Sequence, residues 1–135
     1  MNEILELLSR ASGFFGYFAA GLIFVGVNFF AYTRTTKYDE MELIRRGNVA
    51  AAYSLIGSTV GFSLPLSMAI VHTASAQAFV FWALLSMVTQ IATYFFMKLV
   101  FKDIDAQIEA NNHAYGVLDG GLSIVVGIVN AACVV

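Results

Sequence analysis

Four stretches of this chain run for about 20 residues or more with at most one charged side chain each: Ala11–Thr33, Asn48–Val71, Ala76–Val100 and Ala114–Val135. That is the length a helix needs to cross a hydrocarbon core of about 30 Å. A helix in a soluble bundle shows charge along its outer stripe. Here only Lys98, near the end of the third stretch, and Asp119, inside the fourth, interrupt the pattern. The sequence therefore predicts an all-α membrane protein of four transmembrane helices in one domain, residues 1–135.

Composition agrees with lipid as the solvent. The chain is 59% hydrophobic and 12% charged, with a mean hydropathy of +0.78, whereas a soluble domain carries about 25% charge. A formal charge of −2 offers no basic field for nucleic acid. The single cysteine, Cys133, allows no internal disulfide and no cysteine cluster. The first residues carry Glu3 and Glu6 before the apolar run, unlike the basic start of a cleaved signal. Met1–Arg10 is expected to form an interfacial turn or two, with Ile4, Leu7 and Leu8 on one side.

Orientation follows from the short loops, because Lys and Arg favour the cytoplasmic side. Arg34, Lys37, Arg45 and Arg46 lie between spans one and two, and Lys98 and Lys102 after span three; the other side has Arg10 alone. Both termini are expected outside the cytoplasm. Each charged loop is expected to carry a short helix, the first opening at Asp39 with Glu42 three residues on. Asn48 and Asn112 stand where the chain re-enters the membrane and are expected to be helix-entry caps rather than ligand contacts.

The halves share one order of features: aromatic-rich span, charged loop, small-residue span. At an offset of 64, Asp39 aligns with Asp103, Ile44 with Ile108, Asn48 with Asn112, Ala50 with Ala114 and Gly57 with Gly121. This is the pattern of a parallel tandem repeat of two two-helix units, about residues 11–71 and 76–135. The combination Asn48-Val-Ala-Ala, Gly57-x-x-x-Gly61, Pro65-Leu66 and the terminal Asn130-Ala-Ala-Cys133 resembles the YjfL family of small bacterial inner-membrane proteins. The resemblance covers essentially the whole chain. It implies a plasma-membrane location and a duplicated domain of unknown function, and suggests a link to envelope-stress proteins and ATP-grasp ligases encoded nearby. It supplies no catalytic residue.

Asp119 is the sharpest polar feature, about 10 Å into its span at 1.5 Å per residue. An ionised carboxylate there must face protein or water, or bind a proton or cation. Gly116, Gly120, Ser123, Gly127 and Asn130 recur on or near its side. With Gln90 on span three, Asp119, Ser123 and Asn130 form the candidate intramembrane polar site. Its alternative is a buried carboxyl bonded to Ser, Thr or Tyr across the bundle. Asn28 and Gln90 are expected to form interhelical hydrogen bonds. Gly57 and Gly61 allow close helix approach, and Pro65 frees a carbonyl. Phe79 and Val80 are expected near the lipid interface. His72 and His113 fall at opposite membrane faces, and no nucleophile–base pair has a workable geometry. No cofactor, metal or catalytic residue is expected, and the chain is not expected to be an enzyme. Two functions stand. One is a membrane scaffold in envelope maintenance, docking a cytoplasmic partner at loops 34–47 and 101–113. The other is a small ion or solute transporter or channel, working as a homo-oligomer through Asp119.

Overall fold

A computed structural model describes residues 1–135 as six helices: α1 (Asn2–Thr35), α2 (Glu40–Arg45), α3 (Val49–His72), α4 (Ala76–Val100), α5 (Ile104–Glu109) and α6 (His113–Cys133). The four long ones are long and apolar enough to cross a membrane. The third expected span matches α4 end to end, and α3 and α6 lie within two residues of their expected bounds. The first differs. The turns expected over Met1–Arg10 are continuous with the first span in a single helix, α1, which starts at Asn2 and rises about 51 Å. Its first turns satisfy their polar groups locally: Arg10 pairs with Glu6 at 2.6 Å and the Ser12 hydroxyl donates to the Ser9 carbonyl.

α3 and α6 form the centre. A side-chain carbon at Gly116 would overlap the backbone of Ala50, one at Gly57 that of Gly120, and one at Gly127 that of Gly61. Residue numbers rise together along this seam, so the two helices are parallel and touch backbone to backbone. Small residues permit that approach, which in lipid replaces the missing hydrophobic drive between helices. Pro65 lies inside α3 and has no N–H for the carbonyl of Gly61, four residues back. That carbonyl meets Gly127 instead. Gly121, the counterpart of Gly57 in the 64-residue alignment, faces open space; its neighbour Gly120 makes the contact.

α1 and α4 run antiparallel to this pair. Gly21 of α1 approaches Ile70 near one end of α3, and Tyr32 reaches Ser54 near the other. On α4, Gln90 reaches Ser123 of α6. Phe79 does not face lipid: it is 5% exposed and meets Phe24 edge-on at 5.4 Å, beside Leu66 and Ala69. Its neighbour Val80 is the exposed one, because α4 turns the Phe79 face towards α1 and α3.

The short helices cover the charged-loop end. Asp39 accepts from the Glu42 amide at 3.1 Å, capping α2. Ile104 and Ile108 of α5 are fully buried with Tyr38, Ala50, Ala51 and Met97. Asn48 and Asn112 accept from the Ala51 and Ala114 amides at the starts of α3 and α6. The loops are also stitched to each other. Asn48 donates to the Ile108 carbonyl at 2.8 Å, and the Asn111 side chain accepts from the Val49 and Ala50 amides. Asn111 and Gly47 take the left-handed conformation, φ 61° and 84°, which Asn and Gly tolerate best.

Candidate functional site

The buried interior changes character along the bundle. Phe62, Leu66, Ala69, Phe79, Ala83, Met87 and Val134 fill the end near the termini, and the isoleucine cluster of α5 fills the charged-loop end. Between them lie two polar turns. Tyr32, Ser54, Tyr94 and Asp119 come one from each long helix. Moving one turn of four residues along each helix, away from the charged loops, gives Asn28, Ser58, Gln90 and Ser123. All eight are at most 4% exposed.

In the first layer, Tyr32 and Ser54 both donate to the same carboxylate oxygen of Asp119, Oδ2, Tyr32 at 3.3 Å. The two hydroxyls also lie 2.9 Å apart. Asp119 Oδ1 is buried without a partner. The Tyr94 ring meets Tyr32 edge-on at 6.0 Å, while its hydroxyl donates to Asp105 Oδ1 at 2.7 Å. Asp105 pairs with Lys98 at 3.2 Å, so that cation is already matched. In the second layer, Gln90 Nε2 donates to the Ser123 carbonyl at 3.2 Å. Gln90 Oε1, Ser58 Oγ and both amide atoms of Asn28 have no partner, nor does Ser86 Oγ one turn beyond Gln90. Asn28 thus makes no interhelical bond.

Of the four residues grouped from sequence, Asp119, Gln90 and Ser123 fall in these two turns. Asn130 does not. It lies about 10 Å beyond Ser123 along α6, is only partly buried, and its Nδ2 has no partner. Gly57 and Gly61 border the site as packing surface, with a side-chain carbon at Gly61 falling 3.0 Å from Gln90 Nε2, while Pro65 lies about 10 Å beyond Ser58 along α3. The grouping left out Tyr32, Ser54, Tyr94, Asn28 and Ser58. A four-residue spacing of polar groups within each apolar span was the signal that would have found them.

Two further buried groups sit where the charged loop meets the first layer. Glu40 is 1% exposed and accepts from the Thr36 hydroxyl. Burial pushes its carboxyl above the ordinary carboxylate value, the Thr36 bond pulls it partway back, and Asp39 and Asp105 push it further up. Burial likewise raises the Tyr38 phenol, eased by the Ser54 hydroxyl, and the Tyr38 oxygen has no partner in hydrogen-bond geometry. No three His, Cys, Asp or Glu side chains gather as a metal-ligand set. His72 closes α3 and His113 opens α6, at opposite ends of the parallel pair.

Four apolar helices around a polar interior define a multi-pass α-helical membrane protein. The chain belongs to the family described as Domain of Unknown Function (DUF350), which it matches over residues 4–134. It is similar to the UPF0719 inner membrane protein YjfL of Escherichia coli strain K12, 29% identical over 129 residues, covering 96% of this chain and 98% of the relative. The protein of the same description from E. coli O157:H7 matches to the same extent. No solved structure matches. Neither description names a reaction, so no catalytic residue transfers.

Proposed function

We propose that the protein is a small ion transporter or channel of the bacterial inner (plasma) membrane, working as a homo-oligomer with Asp119 as its ion-binding group. The observation that carries this reading is the unpartnered carboxylate oxygen of Asp119, which is buried within the bundle and has no basic side chain beside it. A structural carboxyl in lipid has both oxygens satisfied, since an unmet polar group there costs several kcal/mol, on the order of 2–7. Self-association is part of the proposal because the glycine seam leaves no open path between α3 and α6. Val125, Ile128 and Val129 of α6 and most of the first half of α1 are exposed apolar surface, available to lipid or another copy.

Ion flux into liposomes tests it. Asp119→Asn keeps the shape and bonds of the site without its charge, and should abolish flux while leaving folding and oligomer size intact. Asp119→Leu should in addition lower stability by about 1–3 kcal/mol, because Tyr32 and Ser54 lose their acceptor. Wild-type flux that survives in the Asn variant would eliminate Asp119 as the ion site. No flux in any form, with melting lost only in Leu, favours a scaffold instead. That second reading rests on the stitching of loops 34–47 and 101–113 by Asn48 and Asn111, which makes them one surface for a cytoplasmic partner.

The relatives' description supports the membrane assignment, and the Lys/Arg bias supports placing both termini outside the cytoplasm. A parallel duplication of a two-helix unit, residues about 11–71 and 76–135, accounts for several pairs 64 residues apart. These include α2 and α5 at both ends, the starts of α3 and α6, and the left-handed Gly47 and Asn111. The Asn48 amide bonded to Leu43 and the Asn112 amide bonded to Gln107, both 2.9 Å, are another such pair. A reporter active only outside the cytoplasm should work after His72 and at Val135 and fail within Lys37–Arg46. Activity inside that loop alone would reverse the orientation, and opposite results at His72 and Val135 would end the parallel duplication.

A further inference from the structure

We infer that Asp119, together with Asn28, Ser58 and Gln90 one turn deeper, forms a binding site for a dehydrated alkali cation. The inference rests on Asp119 being an ion-binding group and names the ion class and the residues that complete its shell. All four residues are at most 1% exposed, and each offers an oxygen with no hydrogen-bond partner: Asp119 Oδ1, Asn28 Oδ1, Ser58 Oγ and Gln90 Oε1. They come from all four long helices within a single turn of depth. Tyr32 pairs with Ser54 across α1 and α3, so Asn28 and Ser58, each one turn on, share the next level. Gln90 and Ser123 share it too, through their hydrogen bond.

The balance of donors and acceptors selects the ligand. The Gln90 amide is oriented by its bond to the Ser123 carbonyl, which leaves its oxygen as the free end. Asp119 Oδ1, Gln90 Oε1 and Asn28 Oδ1 only accept. Among these four residues Asn28 Nδ2 is the one fixed donor without a partner, and Ser58 can serve either way. A set rich in acceptors, carrying one negative charge and no basic neighbour, calls for a positive ligand. Oxygen donors suit a hard cation. One carboxylate is short of the several that a dehydrated calcium ion takes, and magnesium keeps its water shell. A monovalent alkali ion matches both the charge and the mixture of carboxylate, amide and hydroxyl.

The test is thermal melting of the full-length protein in detergent, with sodium chloride titrated against choline chloride at constant ionic strength, and potassium chloride in parallel. Wild type should show a saturable rise in Tm with sodium or potassium and none with choline. Ser58→Ala should raise the midpoint of that titration about tenfold. Its melting in choline should stay level or rise, because an unpartnered buried hydroxyl is gone; a merely structural serine would lower melting in choline as well. Identical wild-type melting in all three salts would overturn the site. Asp119-dependent proton flux without any alkali effect would remove this inference and leave Asp119 as the ion group. A sodium effect lost in Ser58→Ala, in a protein that carries no flux, would keep the site and remove the transporter.

Discussion

Along the glycine seam between α3 and α6 the contact is backbone against backbone, at Gly57, Gly61, Gly116, Gly120 and Gly127, with the Ser54–Asp119 hydrogen bond beside it. Between α1 and α3 it is side chain against side chain. A side-chain carbon at Gly21 would meet only the tip of Ile70, at an ordinary 3.4 Å, and the polar tie is Tyr32 to Ser54 and Asp119. The first kind of contact cannot yield by a rotamer change, whereas the second can. A rigid pair with a more adjustable helix against it is an arrangement that can hold a site and still alter it. The site lies where the two kinds of contact meet, since Ser54 and Asp119 sit on the seam helices and Tyr32 and Asn28 on the adjustable one.

Adjacent glycines give the largest test of that difference. Gly120→Leu drives a branched side chain into the backbone of Tyr53 and Gly57. It should destabilise by about 3 kcal/mol or more, the upper end for overpacking, since backbone cannot step aside. Gly121→Leu, one residue away and facing open space, should leave melting in detergent within about 0.5 kcal/mol of wild type. Gly21→Ala on α1 should be tolerated as well as Gly121→Leu. Equal losses at Gly120 and Gly121 would mean the seam is not the rigid part.

A smaller effect should appear at the joint where α1 hands over to the loop. Burial raises the Glu40 carboxyl above its ordinary value, so the folded protein binds that proton more tightly than the unfolded chain does. The contribution of Glu40 is therefore fully present below the ordinary carboxylate value of 4.5 and is lost as pH rises through the folded value. The groups around it are Thr36, Asp39 and Asp105, with Arg34 and Lys37 lining the same recess. Glu40→Gln should melt progressively higher than wild type as pH rises from about 4 to about 8, across and above the ordinary carboxylate range, with the gap closing at the acid end. A constant gap across that range would show that Glu40 is not titrating as a buried acid.

How much of this was legible beforehand depended on whether the signal lay within one segment. The spans, the Asp39 cap and the Asn48 and Asn112 caps are local. Length and charge specify the first, and a side chain reaching an amide two or three residues on specifies the others. Phe79 was misplaced because its burial depends on which face α4 turns to Phe24, a fact about two helices. Asn111 carries the same difficulty further, since its side chain serves amides 62 and 61 residues away. The polar site was half visible for the same reason. Asp119 stands out in any apolar run, whereas Tyr32, Asn28 and Ser58 are ordinary residues until four helices bring them to one depth.

The order in which the chain is made gives the glycine seam another meaning. α3 is complete long before α6 exists, so its small-residue face must wait in the membrane for a partner some 60 residues further along. At a synthesis rate of about 5–20 residues per second, that wait lasts roughly 3–12 s. Val49 and Ala50 wait equally long for Asn111. The tightest contact in the molecule is thus the last to form, and until it does the first half of the chain has a bare helix face that any small-residue helix in the bilayer can borrow.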